Sequence, residues 1–300
     1  MPAVIEANSL SKHYRGGRGI DDLTLSVERG EIFGFLDPNG AGKTTTIRTL
    51  LDLLHPTSGS AKLFGLDSHQ HSLEIRARIG NLPGDFAFED SMTGSELLTL
   101  FARLRGLDGM ETAHSLADRF KADLSKPLRE LSRGNRQKVG IIQAMFHGPE
   151  LLILDEPTSG LDPLMQEEFL SVIAEHRAAG KTVFLSSHDL PEVERVCDRV
   201  GVIRDGKLIT VASVDEMRER AYRKVVVRFA DGVTVDPSAF ERINGVGSAS
   251  LDGQKLSFKA MDNLDEVIAA LGRYKVVDIE VTKPSLEELF IAFYSEGQTA

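Results

Sequence analysis

The stretch that decides the fold is Glu31-Ile32-Phe33-Gly34-Phe35-Leu36, followed by Asp37-Pro38-Asn39-Gly40-Ala41-Gly42-Lys43-Thr44 and then Thr45-Thr46-Ile47-Arg48-Thr49-Leu50. The first six residues are a short apolar run bounded by turn signals, as expected of a buried strand. The last part reads as a helix over Thr44–Leu54, stopping before His55-Pro56-Thr57-Ser58-Gly59. Between them lies a close match to G-x-x-x-x-G-K-[ST], in the strand-loop-helix context that gives this motif its meaning. Backbone N–H groups of such a loop point inward, and the helix N-terminus adds positive potential for phosphate. The side chain of Lys43 is placed to reach the β- and γ-phosphates, Thr44 to hold Mg²⁺, and Thr45 to touch the α-phosphate. One position departs from the pattern: Asp37 stands where the first Gly belongs. Facing the phosphates, a carboxylate here would weaken or tune nucleotide binding through repulsion; at the strand end its side chain is expected to point away from them, and Asp enters unusual backbone regions more readily than most residues.

Outward from the loop, strands alternate with helices. Val4–Asn8 and Ile20–Val27 read as strands, and Leu151–Leu154 as a second buried strand. A helix is expected over Gln166–Ala179, a strand over Lys181–Ser186, a helix over Leu190–Val196, and a strand over Val200–Arg204. Asp205-Gly206 then turns the chain into Lys207–Val211. This order argues for an α/β protein with a mostly parallel sheet. From Ser91 to Met145 the pattern is mainly helical, with Leu97, Leu98, Phe101, Leu104 and Leu107 expected to pack into the core. Beyond a charged helix at Val214–Arg223, the order β-α-β-β-α-β suggests a second, ferredoxin-like α+β domain. It runs through Lys224–Phe229, Pro237–Ile243, Ser248–Leu251, Lys255–Phe258, Leu264–Leu271 and Val276–Val281, with a closing amphipathic helix at Ser285–Tyr294. The expected domains are 1–218, with a helical subdomain over about 88–146, and 219–300.

Bulk properties narrow the function class. A net charge of −10 over 300 residues argues against nucleic acid as a partner, which usually leaves a basic footprint. The single cysteine, Cys197, allows no internal disulfide and suits a reducing compartment. Its expected role is that of a small buried filler. The uncharged stretch Val139–Pro149 is too short to span a bilayer, and the N-terminus lacks a signal-like start. A cytoplasmic chain is expected, reaching the membrane only through a partner that supplies the spans.

Four further segments follow in order: Leu131-Ser132-Arg133-Gly134-Asn135, then Leu151-Leu152-Ile153-Leu154-Asp155-Glu156-Pro157, then Ser159-Gly160-Leu161-Asp162, then Ser186-Ser187-His188. With the phosphate loop they resemble the ATP-binding cassette (ABC) family, over Val4 to about Val211. The resemblance implies ATP and Mg²⁺ as ligands. Asn39, Gly40, Ala41, Gly42, Lys43, Thr44 and Thr45 would cradle the phosphates, and Tyr14 would stack on adenine. Asp155 would hold the Mg²⁺ shell with Thr44. Glu156 would polarise the attacking water as general base, and His188 would contact the γ-phosphate. Ser132, Arg133, Gly134 and Asp162 would face ATP bound by a second copy, so a head-to-tail homodimer is implied. In the signature segment Arg133 replaces Gly and Asn135 replaces Gln. At the family's glutamine-bearing loop this chain has Gly84, followed by Asp85.

The ending Lys283-Pro284-Ser285-Leu286-Glu287-Glu288-Leu289-Phe290 resembles ATPase subunits of ABC-2-type exporters, in which the permease is a separate chain and drug or antibiotic efflux is common. Two alternatives are an ABC ATPase of a soluble machine and a catalytically weakened regulatory subunit. A single cassette without long coiled coils disfavours the first. Asp37 and Gly84 motivate the second.

Overall fold

The computed structural model describes residues 3–15, 17, 19–36, 42–85, 91–219, 222–261 and 263–282. Contacts divide the chain after Ser213 into two compact units. In the first, β1 (Ala3–His13), β2 (Gly19–Glu28) and β3 (Ile32–Leu36) lead to α1 (Lys43–Leu50). There follow β4 (Ser58–Leu63), β5 (Leu66–Asp67), α2 (Ser72–Arg78) and β6 (Ile79–Leu82). The helical stretch holds α3 (Gly94–Leu104), α4 (Glu111–Phe120) and α5 (Arg133–Met145). The unit closes with β7 (Leu151–Asp155), α6 (Pro163–Ala178), β8 (Thr182–Ser187), α7 (Leu190–Val196), β9 (Arg199–Arg204) and β10 (Lys207–Ser213).

Two sheets result. The antiparallel one has the order β2-β1-β4-β5. The other has the order β10-β9-β3-β8-β7-β6, parallel except for the β9-β10 hairpin. That hairpin turns on Asp205 and Gly206, both at positive φ, as a two-residue turn matching strand twist requires. Strands β3 and β7 are buried along their whole length. Each large apolar side chain so buried contributes roughly 1.5–3 kcal/mol. This is why these two runs lack the polar alternation of a one-sided sheet.

Helix α1 ends four residues before the expected Leu54. Asp52 takes φ +55, a left-handed conformation that cannot continue a right-handed helix. Helix α3 begins at a capping box in which Thr93 and Glu96 satisfy each other's backbone N–H groups. Leu97 and Leu98 lie in the core as expected, but Leu104 is 72% exposed and Leu107 sits at the surface. The apolar stripe therefore continues beyond the part of the helical stretch that is covered.

The second unit opens with α8 (Val214–Glu219), and the expected helix does not reach Arg223 because the chain is already extended there. Then come β11 (Arg223–Phe229), α9 (Ser238–Glu241), β12 (Ser250–Asp252), β13 (Lys255–Ala260), α10 (Leu264–Leu271) and β14 (Val276–Thr282). The sheet order is β12-β13-β11-β14 with every pair antiparallel, which is the ferredoxin-like arrangement. Its core holds Val225, Val227, Phe240, Leu256, Phe258 and Val267. The expected helix at Ser285–Tyr294 lies outside the described residues, as does the exporter-like ending.

Candidate functional site

Sheet register brings the candidate residues to one edge. Leu36 of β3 pairs with Ser187 of β8, and Asp155 of β7 pairs with Ser186 of β8. The carboxyl ends of three neighbouring strands are therefore level, at the edge where parallel α/β sheets bind ligands. Helix α1 starts there. Asp37, Pro38, Asn39, Gly40 and Ala41 lie outside the described residues. Gly42 precedes the helix at φ +119, a conformation suited to glycine. A Cβ there would stand 2.9 Å from Ile20 Cγ2.

The first turn of α1 meets the end of β7. Thr44 donates its hydroxyl proton to Asp155 Oδ2 at 2.7 Å, and Ser186 donates to Asp155 Oδ1. Asp155 is almost fully buried, so these bonds fix its carboxylate and offset its desolvation. Lys43, only 6% exposed, places Nζ 3.6 Å from Glu156 Oε1. His188 Nδ1 lies 3.4 Å from Glu156 Oε2 on the other side. Glu156 thus stands between two of the cationic or cation-forming groups of the site.

Glu156 also has φ +49. A non-glycine residue held in this region costs on the order of 1–3 kcal/mol and persists only where its surroundings enforce it. Here Glu156 N donates to Ser186 Oγ at 3.1 Å, and the buried Gln137 Nε2 donates to Glu156 O at 3.2 Å and Pro157 O at 2.8 Å. The left-handed turn ends the extended conformation of β7 at Glu156, whose carboxylate faces Lys43. Ser186 and Gln137 are functional supports that motif reading missed. Gln137 is polar yet buried on α5, and among the charged and polar residues of that helix no sequence signal singled it out.

Ser132 and Asp162 sit one residue ahead of their helices. Ser132 Oγ accepts from Asn135 N at 3.2 Å, and Asp162 Oδ1 from Met165 N at 3.1 Å. Each N-cap contributes on the order of 1 kcal/mol. A capping hydroxyl that accepts inward keeps its own proton to donate outward. The two segments touch: Arg133 Nη2 donates to Ser159 Oγ at 2.7 Å, and a Cβ on Gly134 would lie 2.5 Å from Gly160 O. Asn135 turns inward, bonding the backbone of Asp123 through both amide atoms.

Tyr14, just beyond β1, is 41% exposed, with Lys12 Nζ 5.9 Å from its ring centroid. Gly84 lies beside Asp155: a Cβ there would be 3.0 Å from Asp155 Oδ2. Asp85 is exposed. The glutamine-loop position therefore abuts the buried carboxylate, and glycine leaves that approach open.

Under His188 lies Glu192, whose Oε2 accepts from Thr158 Oγ1 and Ser187 Oγ, both at 3.0 Å. Burial pushes its carboxyl above the ordinary range despite these two bonds. A folded-state value above the unfolded one makes stability fall as pH rises through that interval. Glu192→Gln is therefore expected to gain stability relative to the parent at pH 8 compared with pH 4.5. Thermal melts of both proteins at the two pH values check this. Cys197 is buried, and its thiol is pushed well up by burial, in keeping with a packing role.

Residues 20–159 match the family model described as ABC transporter. The bacitracin transport ATP-binding protein BcrA of Bacillus licheniformis is 37% identical, over 77% of this chain and 76% of its own length. The daunorubicin/doxorubicin resistance ATP-binding protein DrrA of Streptomyces peucetius is 32% identical, over 96% of this chain and 92% of its own. A solved ATP-binding subunit of an ABC transporter superposes with a TM-score of 0.67 at 31% identity, covering 72% of this chain and 92% of that one. With the sheet-edge site and this likeness together, the chain belongs to the ABC transporter family, as an ATP-binding subunit and ATPase.

Proposed function

We propose that this chain powers an ABC-2-type exporter, as a head-to-tail nucleotide-sandwich dimer bound to a separate permease at the inner face of the cell membrane. The observation that carries the catalytic part is the Lys43–Glu156–His188 arrangement above the Thr44–Asp155 pair. Two oxygen donors in contact, a hydroxyl and a carboxylate, make the hard donor set that Mg²⁺ prefers, so Thr44 and Asp155 would hold that ion. When bound it would neutralise charge on the phosphates. Lys43 would neutralise the β- and γ-phosphates, Glu156 would take the proton of the attacking water, and His188 would steady the γ-phosphate. The amides of the Asn39–Thr45 segment would line the phosphates, and Tyr14 would present its ring to adenine.

The dimer is supported by the Ser132–Gly134 and Ser159–Asp162 segments. They are built against each other, yet Ser132 and Arg133 face solvent, where a second copy's nucleotide would complete the site. The exporter assignment is supported by relatives named for bacitracin transport and for daunorubicin/doxorubicin resistance. No helix among the described residues is long and apolar enough to cross a membrane, so the spans would come from the permease. Its docking place would be the cleft of about 590 Å³ on α3, lined by Met92, Ser95, Glu96, Thr99, Leu100 and Arg103. The exposed Leu100 and Leu104 give this face apolar area that a partner would cover. Affinity purification from detergent extracts, with the chain expressed beside its neighbouring reading frames, is expected to recover a multi-span membrane protein. Recovery of a stable soluble assembly with no membrane protein would sink the exporter reading.

A further inference from the structure

Away from the nucleotide site, Asp52, His55 and His69 converge. Asp52 follows α1, His55 lies in the turn before β4, and His69 in the turn after β5. His69 Nδ1 is 3.0 Å and His55 Nδ1 3.2 Å from the same Asp52 oxygen, Oδ1. All three donor atoms lie within 4.8 Å of one another. The imidazole rings meet edge to face with centroids 4.8 Å apart. Donor atoms around a tetrahedral ion with bonds of about 2.0–2.2 Å stand about 3.3–3.6 Å apart. Two edges of the triangle are already near that length.

The surroundings hold each ligand in place. Asp52 sits at φ +55, where glycine is the unstrained choice, and its carboxylate is only 10% exposed. The backbone of His55 is pinned by Lys12 Nζ, which donates to its carbonyl at 2.7 Å, and Pro56 restricts it to extended angles. The backbone of His69 is pinned by its N–H, which donates to Asp67 Oδ1 at 3.0 Å. The cluster lies just past the C-terminus of α1, the end of a helix whose dipole favours positive charge.

We propose that Asp52, His55 and His69 form a binding site for a divalent transition-metal ion, with Zn²⁺ as the probe and water as the fourth ligand. Two imidazole nitrogens and one carboxylate oxygen suit ions of borderline softness rather than Mg²⁺ or Ca²⁺. A neutral imidazole protonated at Nε2 presents the Nδ1 lone pair, so each ring would bind through the nitrogen that now faces Asp52. The ion would tie the end of the phosphate-loop helix to the two turns of the antiparallel sheet.

The test is calorimetric titration of Zn²⁺ into the full-length, tag-free, nucleotide-free chain at pH 7.5. One saturating equivalent is expected, with at least tenfold weaker binding in Asp52→Asn and in His69→Ala. Asn tolerates the left-handed backbone at position 52, and His69 is largely exposed, so both variants are expected to fold. Asp155→Asn, which disables the separate Thr44–Asp155 donor pair, is expected to bind Zn²⁺ as the parent does. Millimolar Mg²⁺ is expected not to compete. Binding unchanged in His69→Ala, or lost in Asp155→Asn alone, would overturn the proposal.

Discussion

Glu156→Gln is expected to lower the ATP turnover number by about 10²–10³-fold, within the range of a lost general base, while ATP still binds. The substitution keeps the volume and the left-handed turn, which rests on Ser186 and Gln137 acting on backbone atoms. It removes the carboxylate that lies 3.6 Å from Lys43 Nζ and 3.4 Å from His188 Nδ1. With that counter-charge gone, Lys43 has more to gain from a γ-phosphate, so ATP affinity is expected to hold or rise. If hydrolysis is what reopens the nucleotide sandwich, the variant also accumulates as an ATP-bound dimer. Steady-state rates, nucleotide binding and light scattering with and without ATP check the three parts. Equal turnover in parent and variant would favour the weakened regulatory subunit instead.

The largest expected effect on stability comes from Gly80→Val. Gly80 lies in β6, where a Cβ would stand 1.9 Å from Ala144 O, 2.8 Å from Leu152 Cδ2 and 2.9 Å from Pro149 Cγ. A backbone carbonyl at 1.9 Å cannot be avoided by a rotamer change. Either α5 moves away from the sheet or β6 leaves β7. Overpacking a well-filled core costs about 1–3 kcal/mol where side chains can shift, and a clash with backbone belongs at or beyond the upper end. We expect a loss of about 3 kcal/mol or more, read as a lower midpoint in urea or as failure to accumulate soluble protein. The same substitution at Gly232 in the second unit, where nothing lies within 4 Å, is strained only by its φ of +81 and serves as the contrasting case.

How much was legible beforehand depended on the range over which each feature is encoded. Leu151–Leu154 reads as a buried strand because its own residues are apolar throughout, and α7 and α10 occupy the residues their local pattern suggests. Leu104 and Leu107 fit a core-facing pattern yet lie at the surface, because periodicity reports a helix face but not whether anything covers it. The charged helix expected up to Arg223 stops short of it for a related reason: Arg223 is taken up by pairing with Ala260 of β13.

The phosphate loop, the Asp155-Glu156 pair and His188 could be named from the chain alone. Their chemistry is carried by residue type at short spacing after a recognisable strand. The tertiary structure alone decided how they meet: β8 stands between β3 and β7 and sets Asp155 level with Ser186, and the turn at Glu156 aims its carboxylate between Lys43 and His188. It alone showed that Gly134 is glycine because Gly160 O lies where a Cβ would go. It alone joined Asp52 to His69, seventeen positions apart, through the return of β4 and β5. Local sequence sets the conformation of each segment, whereas which distant segments come within reach of one another is set by sheet register and packing.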